Sequence, residues 1–205
     1  MRTGPERAQM SEAFNTVAMR LEALNEDLPA AHFSLDWMLT KLGVQSTSLI
    51  ILVLALLAAA PGVSVVAGLL LLVPAAQMIA GRSRPHFPKW IVARPLPSKS
   101  LSAILRRAIP ALKFIERIVR RRGPAPTRAR EIFVGLIVAF LTIRLLTNPL
   151  PFSNVVPALV IAVIALAYVE EDGLLLSLAL VIGLLTLWAD LAVLWKVASQ
   201  LAIGP

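Results

Sequence analysis

An all-α integral membrane protein is the fold class this sequence predicts. The expected parts are two related broken-helix hairpins, spanning or re-entrant, with amphipathic interfacial helices and a C-terminal transmembrane helix. Three observations predict it. The 205 residues are 58% apolar and 16% charged, and the apolar residues gather in long uncharged runs. Two of these runs are interrupted alike: Pro61-Gly62-Val63-Ser64 parts 49–60 from 65–80, and 148–154, carrying Pro149, Pro151 and Asn154, parts 132–146 from 155–169. Proline lacks a backbone donor and disfavours helix at the residue before it, so the chain must turn or unwind at both breaks. Finally, residues 82–130 carry fourteen basic groups against one acidic, net +13, while the segments 1–46 and 131–205 are net −2 and −3.

These features divide one membrane domain, 1–205, into five parts. Residues 1–43 hold amphipathic helices: Met10, Phe14, Val17, Leu21 and Leu24 share a face, and Ser34 can cap a second helix carrying Leu35, Met38, Leu39 and Leu42. Residues 44–81 form the first hairpin, with arms of about fourteen to eighteen residues against the roughly twenty needed to span; Pro74 predicts a kink in its second arm. Residues 82–130 are a basic loop, and within 98–122 Leu101, Leu105, Ile109, Leu112 and Val119 define the apolar face of a helix that Pro110 should bend. Residues 131–173 repeat the hairpin, and 174–198 form the last helix, long enough to cross with tilt. The first apolar run begins only near residue 49, behind polar amphipathic sequence, which predicts no cleavable signal peptide.

Charge and cysteine content narrow the function classes. The positive-inside rule places the basic loop in the cytoplasm. Its Arg82, Arg84, Arg106, Arg107, Arg117, Arg120, Arg121 and Arg122 are candidate contacts for anionic lipid headgroups or a protein partner. No base-reading module accompanies them, so nucleic acid is not an expected partner. The chain has no cysteine, and its two histidines, His32 and His86, lie far apart. With no nucleophile–base pair, phosphate loop or metal-ligand cluster, the expectation is a non-enzyme without cofactor or metal.

Over about residues 34–195 the pattern resembles the ExoD family of bacterial exopolysaccharide-synthesis membrane proteins. Pro61-Gly62, Gly68, Gln77, Gly81-Arg82, Pro85, Pro88, Pro110 and Glu116 carry the looser part of the likeness. The specific part is Pro149-x-Pro151-Phe152-x-Asn154-x-x-Pro157-Ala158 with Asp172-Gly173 downstream. The chain departs from the family at Ala60 and Val63, where further prolines are common, and at His86-Phe87, where a Trp-Leu pair is. The resemblance implies a multi-pass protein of the bacterial inner membrane linked to exopolysaccharide production, and it implies no reaction.

Few polar residues interrupt the apolar segments, and a charge there costs about 2.5–3.5 kcal/mol on insertion scales. Gln77, Arg144, Asn154 and Asp190, with Ser64, are therefore the candidate lining of a polar cavity where the two gaps meet. Bland roles compete: Arg144 and Asp190 can form a structural ion pair, and Ser64 and Asn154 can be helix caps. Two function classes follow. One is a transporter, channel or lipid-headgroup-handling protein with two hairpins in an inverted repeat. The other is an accessory protein that binds polysaccharide-synthesis machinery through its basic face. A chain this small is expected to act as a homodimer.

Overall fold

The computed structural model describes residues 16–42, 47–60, 62–81, 87, 95–118, 127–147 and 154–202, with the side chains at 190, 193–194, 196–198 and 201–202 outside that description. Among the described residues the chain forms eight helices and one short ribbon. These are α1 (Val17–Glu26), β1 (His32–Ser34), α2 (Leu35–Leu42), α3 (Thr47–Ala58), α4 (Ser64–Ile79), β2 (Pro95–Pro97), α5 (Ser98–Ile118), α6 (Arg128–Thr147), α7 (Val155–Val169) and α8 (Gly173–Ala202). The four hairpin arms are α3, α4, α6 and α7, close to where the apolar runs put them. Helices α4 and α5 continue through Pro74 and Pro110.

The arms pack crosswise. The first arm of each hairpin lies against the second arm of the other, α3 on α7 and α4 on α6, and each arm also lies against its own hairpin mate. Helix α3 is apolar all round and every residue from Ser48 to Ala58 is buried, as such a helix must be to lose its water. Helix α8 packs outside α7 and α6, while α5 covers α3 and is itself covered by α1.

Close approaches fix the directions. An added Cβ at Gly68 would lie 2.9 Å from Leu145, one at Gly135 would lie 3.0 Å from Met78, and one at Gly81 would lie 3.0 Å from the Arg128 guanidinium. The start of α4 therefore meets the end of α6, and the end of α4 meets its start, so the two run antiparallel. Both hairpin turns then sit at one end of the bundle. The two hairpins point the same way, which corrects the inverted repeat expected from the sequence to a parallel one.

The repeat extends to hydrogen bonds. At the end of α4, Ala80 N–H donates to the Ala76 carbonyl and Gly81 N–H to that of Met78. Ninety residues on, Glu170 N–H donates to Leu166 and Glu171 N–H to Tyr168, and Asp172 N–H closes the motif on Ala167. Gly81 and Glu171 both take positive φ, 70° and 53°. Such a position ordinarily belongs to glycine, since a Cβ there crowds the following carbonyl. Glu171→Gly is accordingly expected to raise stability by about 1 kcal/mol, read as an upward shift in the thermal midpoint of the purified protein. An unchanged or lowered midpoint would contradict the strain.

Each hairpin is preceded by a strand and a helix; both helices match the sequence reading, and the two strands were not expected. β1 and β2 pair antiparallel, with Phe33 opposite Leu96. One feature near this ribbon was legible: Ser34 Oγ accepts from Trp37 N–H at 3.2 Å, capping α2 as predicted. At the far end of α5, Glu116 accepts from Ala18 N–H at 2.8 Å, satisfying one of the orphan donors of α1.

The surface of the bundle is unusual. Phe133, Leu136, Phe140 and Ile143 form an exposed row along α6 at spacings of three and four. Leu174, Leu178, Val181, Leu185 and Trp188 do the same on α8, and Val65, Leu69, Val156 and Leu159 extend the surface over α4 and α7. Among the described residues no helix is long and apolar enough to cross a membrane. The helix expected over 174–198 is present as α8.

Candidate functional site

The first hairpin turns tightly. Val63 N–H donates to the Ala60 carbonyl at 3.4 Å, closing a four-residue turn whose third member, Gly62, has φ +85°. At such a positive φ only glycine is unstrained. Nothing lies within 4 Å of a Cβ added at Gly62, so glycine serves the backbone there and not a close contact. Helix α4 then begins at Ser64. In the second hairpin Asn154 occupies the position just before α7, with φ −77° and ψ −15°.

Neither residue is a cap in the expected sense. Helix α4 has no side-chain cap bond at its start, and neither does α7. A capping side chain needs an extended backbone at its own position, and Asn154 is already helical, which carries its amide away from the first-turn N–H groups. The amide instead crosses to the other hairpin. Asn154 Nδ2 donates to Ser64 Oγ at 3.4 Å, across ninety residues of sequence. The polar groups of the two gaps do meet.

The pair is incompletely satisfied. The bond is long against the usual 2.9–3.0 Å, and Asn154 Oδ1 is buried with no partner. In this orientation one strong polar acceptor at the junction faces no protein partner. Leaving such a group dry costs about 1–3 kcal/mol, so the site favours water or a ligand group that can pair with it.

The remaining candidates divide. Arg144 lies half-buried in the last turn of α6, at the same end of the bundle as the turns, and its carbonyl accepts from Thr147 Oγ1 at 3.1 Å. Gln77 is buried but thirteen residues further along α4 than Ser64, about 20 Å away at 1.5 Å per residue. It belongs to the opposite end and not to this junction, a correction to the single cavity expected from the sequence. The backbone of α8 passes Ile137 at Gly183 and carries Asp190 about 10 Å further on, towards the turns. The Asp190 side chain lies outside the described residues, as do Pro61, Pro149, Pro151, Arg82, Arg84 and Arg120 to Arg122. Arg106, Arg107 and Arg117 are exposed on α5.

Sequence reasoning missed two features at the opposite end. Asp172 is buried, and its Oδ1 accepts from Leu174 N–H at 2.9 Å and Leu175 N–H at 3.0 Å, capping α8. An aspartate directly before an apolar run signals such a cap, a signal masked here by its acidic neighbours Glu170 and Glu171. Tyr168 donates to Glu131 Oε1 at 3.1 Å, joining the end of α7 to the start of α6. Among the described residues no three His, Asp or Glu side chains gather as metal ligands.

A sequence profile described as "Exopolysaccharide synthesis, ExoD" matches residues 17–191. The chain belongs to the ExoD family. That membership links it to exopolysaccharide synthesis, and the matched region runs from the first residue of α1 well into α8. Several residues that carry the ExoD likeness occupy tight points of the structure: Gly62 in the turn, Gly68 in the α4–α6 seam, Asn154 at the junction, Glu116 on α5 bonded to the start of α1, and Asp172 capping α8. The chain is similar to uncharacterized protein slr1875 of Synechocystis sp., 28% identical over 128 residues. That match spans 62% of this chain and 60% of the relative's length. No solved structure matches.

Proposed function

We propose that this ExoD protein is a multi-pass protein of the bacterial inner membrane that holds a hydroxyl-rich headgroup, such as that of a lipid-linked sugar, at the junction of its two hairpin turns. The observation that carries the site is the Ser64–Asn154 pair with its unpartnered amide atom. A sugar hydroxyl can donate to the unpartnered Asn154 Oδ1. The Arg144 guanidinium at the same end suits a phosphate linkage.

The membrane reading rests on the outward apolar rows. Soluble monomers rarely expose contiguous apolar patches beyond a few hundred Å2, whereas here four helices turn apolar rows outward. Trp188 and Trp195, 71% and 77% exposed and one heptad apart on α8, sit where a lipid–water interface favours amphipathic rings. Arg128, Arg130 and Glu131 at the start of α6 mark the other boundary, which the basic loop assigns to the cytoplasm. Leu174 to Ala189 is uncharged over about 24 Å, less than the roughly 30 Å of hydrocarbon, so Arg144 and the basic groups at the base snorkel.

The role is binding and movement of a headgroup and not bond chemistry. Asn154→Ala and Arg144→Ala should each abolish exopolysaccharide output in cells while leaving membrane abundance of the protein unchanged. Parental output from both variants would sink the headgroup reading. One observation favours a second role as an accessory protein: Arg106, Arg107 and Arg117 are exposed on α5, away from its buried Leu101–Leu105–Ile109–Leu112 face. Neutralising those three should then release a polysaccharide-synthesis partner on co-purification and spare the fold.

A further inference from the structure

We propose a second site, independent of the hairpin turns, that binds a phosphate ester carrying free hydroxyls. It is a cavity of about 360 Å3 between the end of α1 and the first turns of α5. Asn25, Ser98, Lys99, Ser102 and Arg106 supply its polar lining, Leu28 contributes to an apolar wall, and no acidic residue among those described lines it.

Two atoms from separate elements point to a missing ligand. Ser98 is only 3% exposed, and its Oγ has no hydrogen-bond partner. Asn25 Oδ1, on α1, is likewise buried and unpartnered. Buried polar groups ordinarily find partners, so two orphans on residues that line one cavity call for a group that supplies both a donor and an acceptor. The Ser98 hydroxyl can donate to an anion's oxygen, while Asn25 Oδ1 can accept from a hydroxyl.

Electrostatics select the anion. Ser98 is the first residue of a twenty-one-residue helix, and its own N–H is taken by the Ala31 carbonyl at 3.3 Å. The next first-turn N–H groups have no helical carbonyl to bond, and the positive end of the helix dipole lies beside them. Lys99 and Arg106 add two mobile cations at the rim. Inorganic phosphate brings only its own P–O–H donors, whereas a glycerol or sugar phosphate brings separate hydroxyls for Asn25 Oδ1 beside its phosphate oxygens for Ser98. The volume falls at the small end of ligand sites, which suits such a molecule. The ester can come from a soluble sugar or polyol phosphate or from a phosphatidylglycerol headgroup, since both present the same groups.

The full chain in detergent, and separately in nanodiscs, tests this by calorimetric titration. Glycerol 1-phosphate and glucose 1-phosphate are the soluble probes, with inorganic phosphate as the comparison, and phosphatidylglycerol nanodiscs are set against phosphatidylcholine ones. Saturable binding of a soluble ester, tighter than inorganic phosphate, supports the site with a soluble ligand. Thermal stabilisation in phosphatidylglycerol alone, without soluble binding, supports it with a lipid headgroup. In either case Lys99→Gln with Arg106→Gln, both on the exposed rim and tolerant of change, should weaken the effect at least tenfold, and Ser98→Ala about fivefold. Asn154→Ala should leave it intact, which separates this site from the hairpin junction. No binding to any probe, or parental binding by the rim double variant, would overturn the proposal.

Discussion

Replacing Phe140 with arginine is expected to remove most of the protein from the membrane fraction of cells. Phe140 is 57% exposed in the middle of the α6 row, with Leu136 and Ile143 one turn to either side and no polar side chain in that row. In a bilayer an arginine there costs about 2.5–3.5 kcal/mol, and its nearest escape to the interface is blocked by neighbours that are themselves apolar. On a water-facing surface the same substitution would be worth about 0.5 kcal/mol or less, and would improve solubility. The two readings therefore differ by a factor of roughly a hundred in the insertion equilibrium. Phe114, exposed on α5 outside the four-helix ring, is the control position: arginine there should change little.

The second large effect is expected at Gly135. A Cβ added there would lie 3.1 Å from the Ala75 carbonyl oxygen, 3.0 Å from Met78 Cβ and 3.0 Å from Ile79 Cγ1, so α4 and α6 approach nearly backbone to backbone. A carbonyl oxygen fixed in a helix cannot rotate aside as a side chain can. Leucine at 135 must push the helices apart along the seam that also holds Gly68 against Leu145, and should cost more than about 3 kcal/mol. Alanine is a subtler case: its tight contact is offset by about 1 kcal/mol of helix propensity gained over glycine, so Gly135→Ala should lie near neutral. Gly183→Ala should be stabilising, because the nearest atom, Ile137 Cγ2 at 3.2 Å, belongs to a side chain that can shift. Denaturation in mixed detergent micelles reads all three, and parental stability of Gly135→Leu would contradict the close-packed seam.

The hairpin arms were legible because proline, glycine and asparagine punctuate otherwise uniform apolar sequence, and Gly62 and Asn154 do sit at the turns. The amphipathic face of α5 was legible too, since Leu101, Leu105, Ile109 and Leu112 follow the helical period and are buried. The meeting of the two gaps was expected from the repeat. Nothing local to Ser64 or Asn154 says which atoms pair, however, and their positions beside apolar runs look equally like caps until the two turns are brought together. Nor does sequence reveal direction: parallel and inverted hairpins share one hydropathy pattern, and the Gly68, Gly81 and Gly135 contacts are needed to separate them. Gln77 looked like a cavity residue for the same reason, since burial in one helix does not say at which end. The ribbon was invisible because three-residue strands carry no periodicity and Pro95 and Pro97 argue against strand in any but a two-stranded edge pair. The orphaned hydroxyl of Ser98 and amide oxygen of Asn25 could be found only once α1 and α5 were side by side.

The most direct test of a lipid-facing bundle is spin-label accessibility on α6 in proteoliposomes, which the cysteine-free chain allows one site at a time. Cysteines replacing Leu136, Phe140 and Ile143 would each carry a nitroxide, with one replacing Arg107 as the aqueous reference. The predicted result is high collision rates with oxygen and exclusion of a water-soluble nickel chelate at all three α6 positions, with the reverse at 107. Nickel access at Phe140 equal to that at Arg107 would contradict it, and would mean that water or another protein covers the apolar rows.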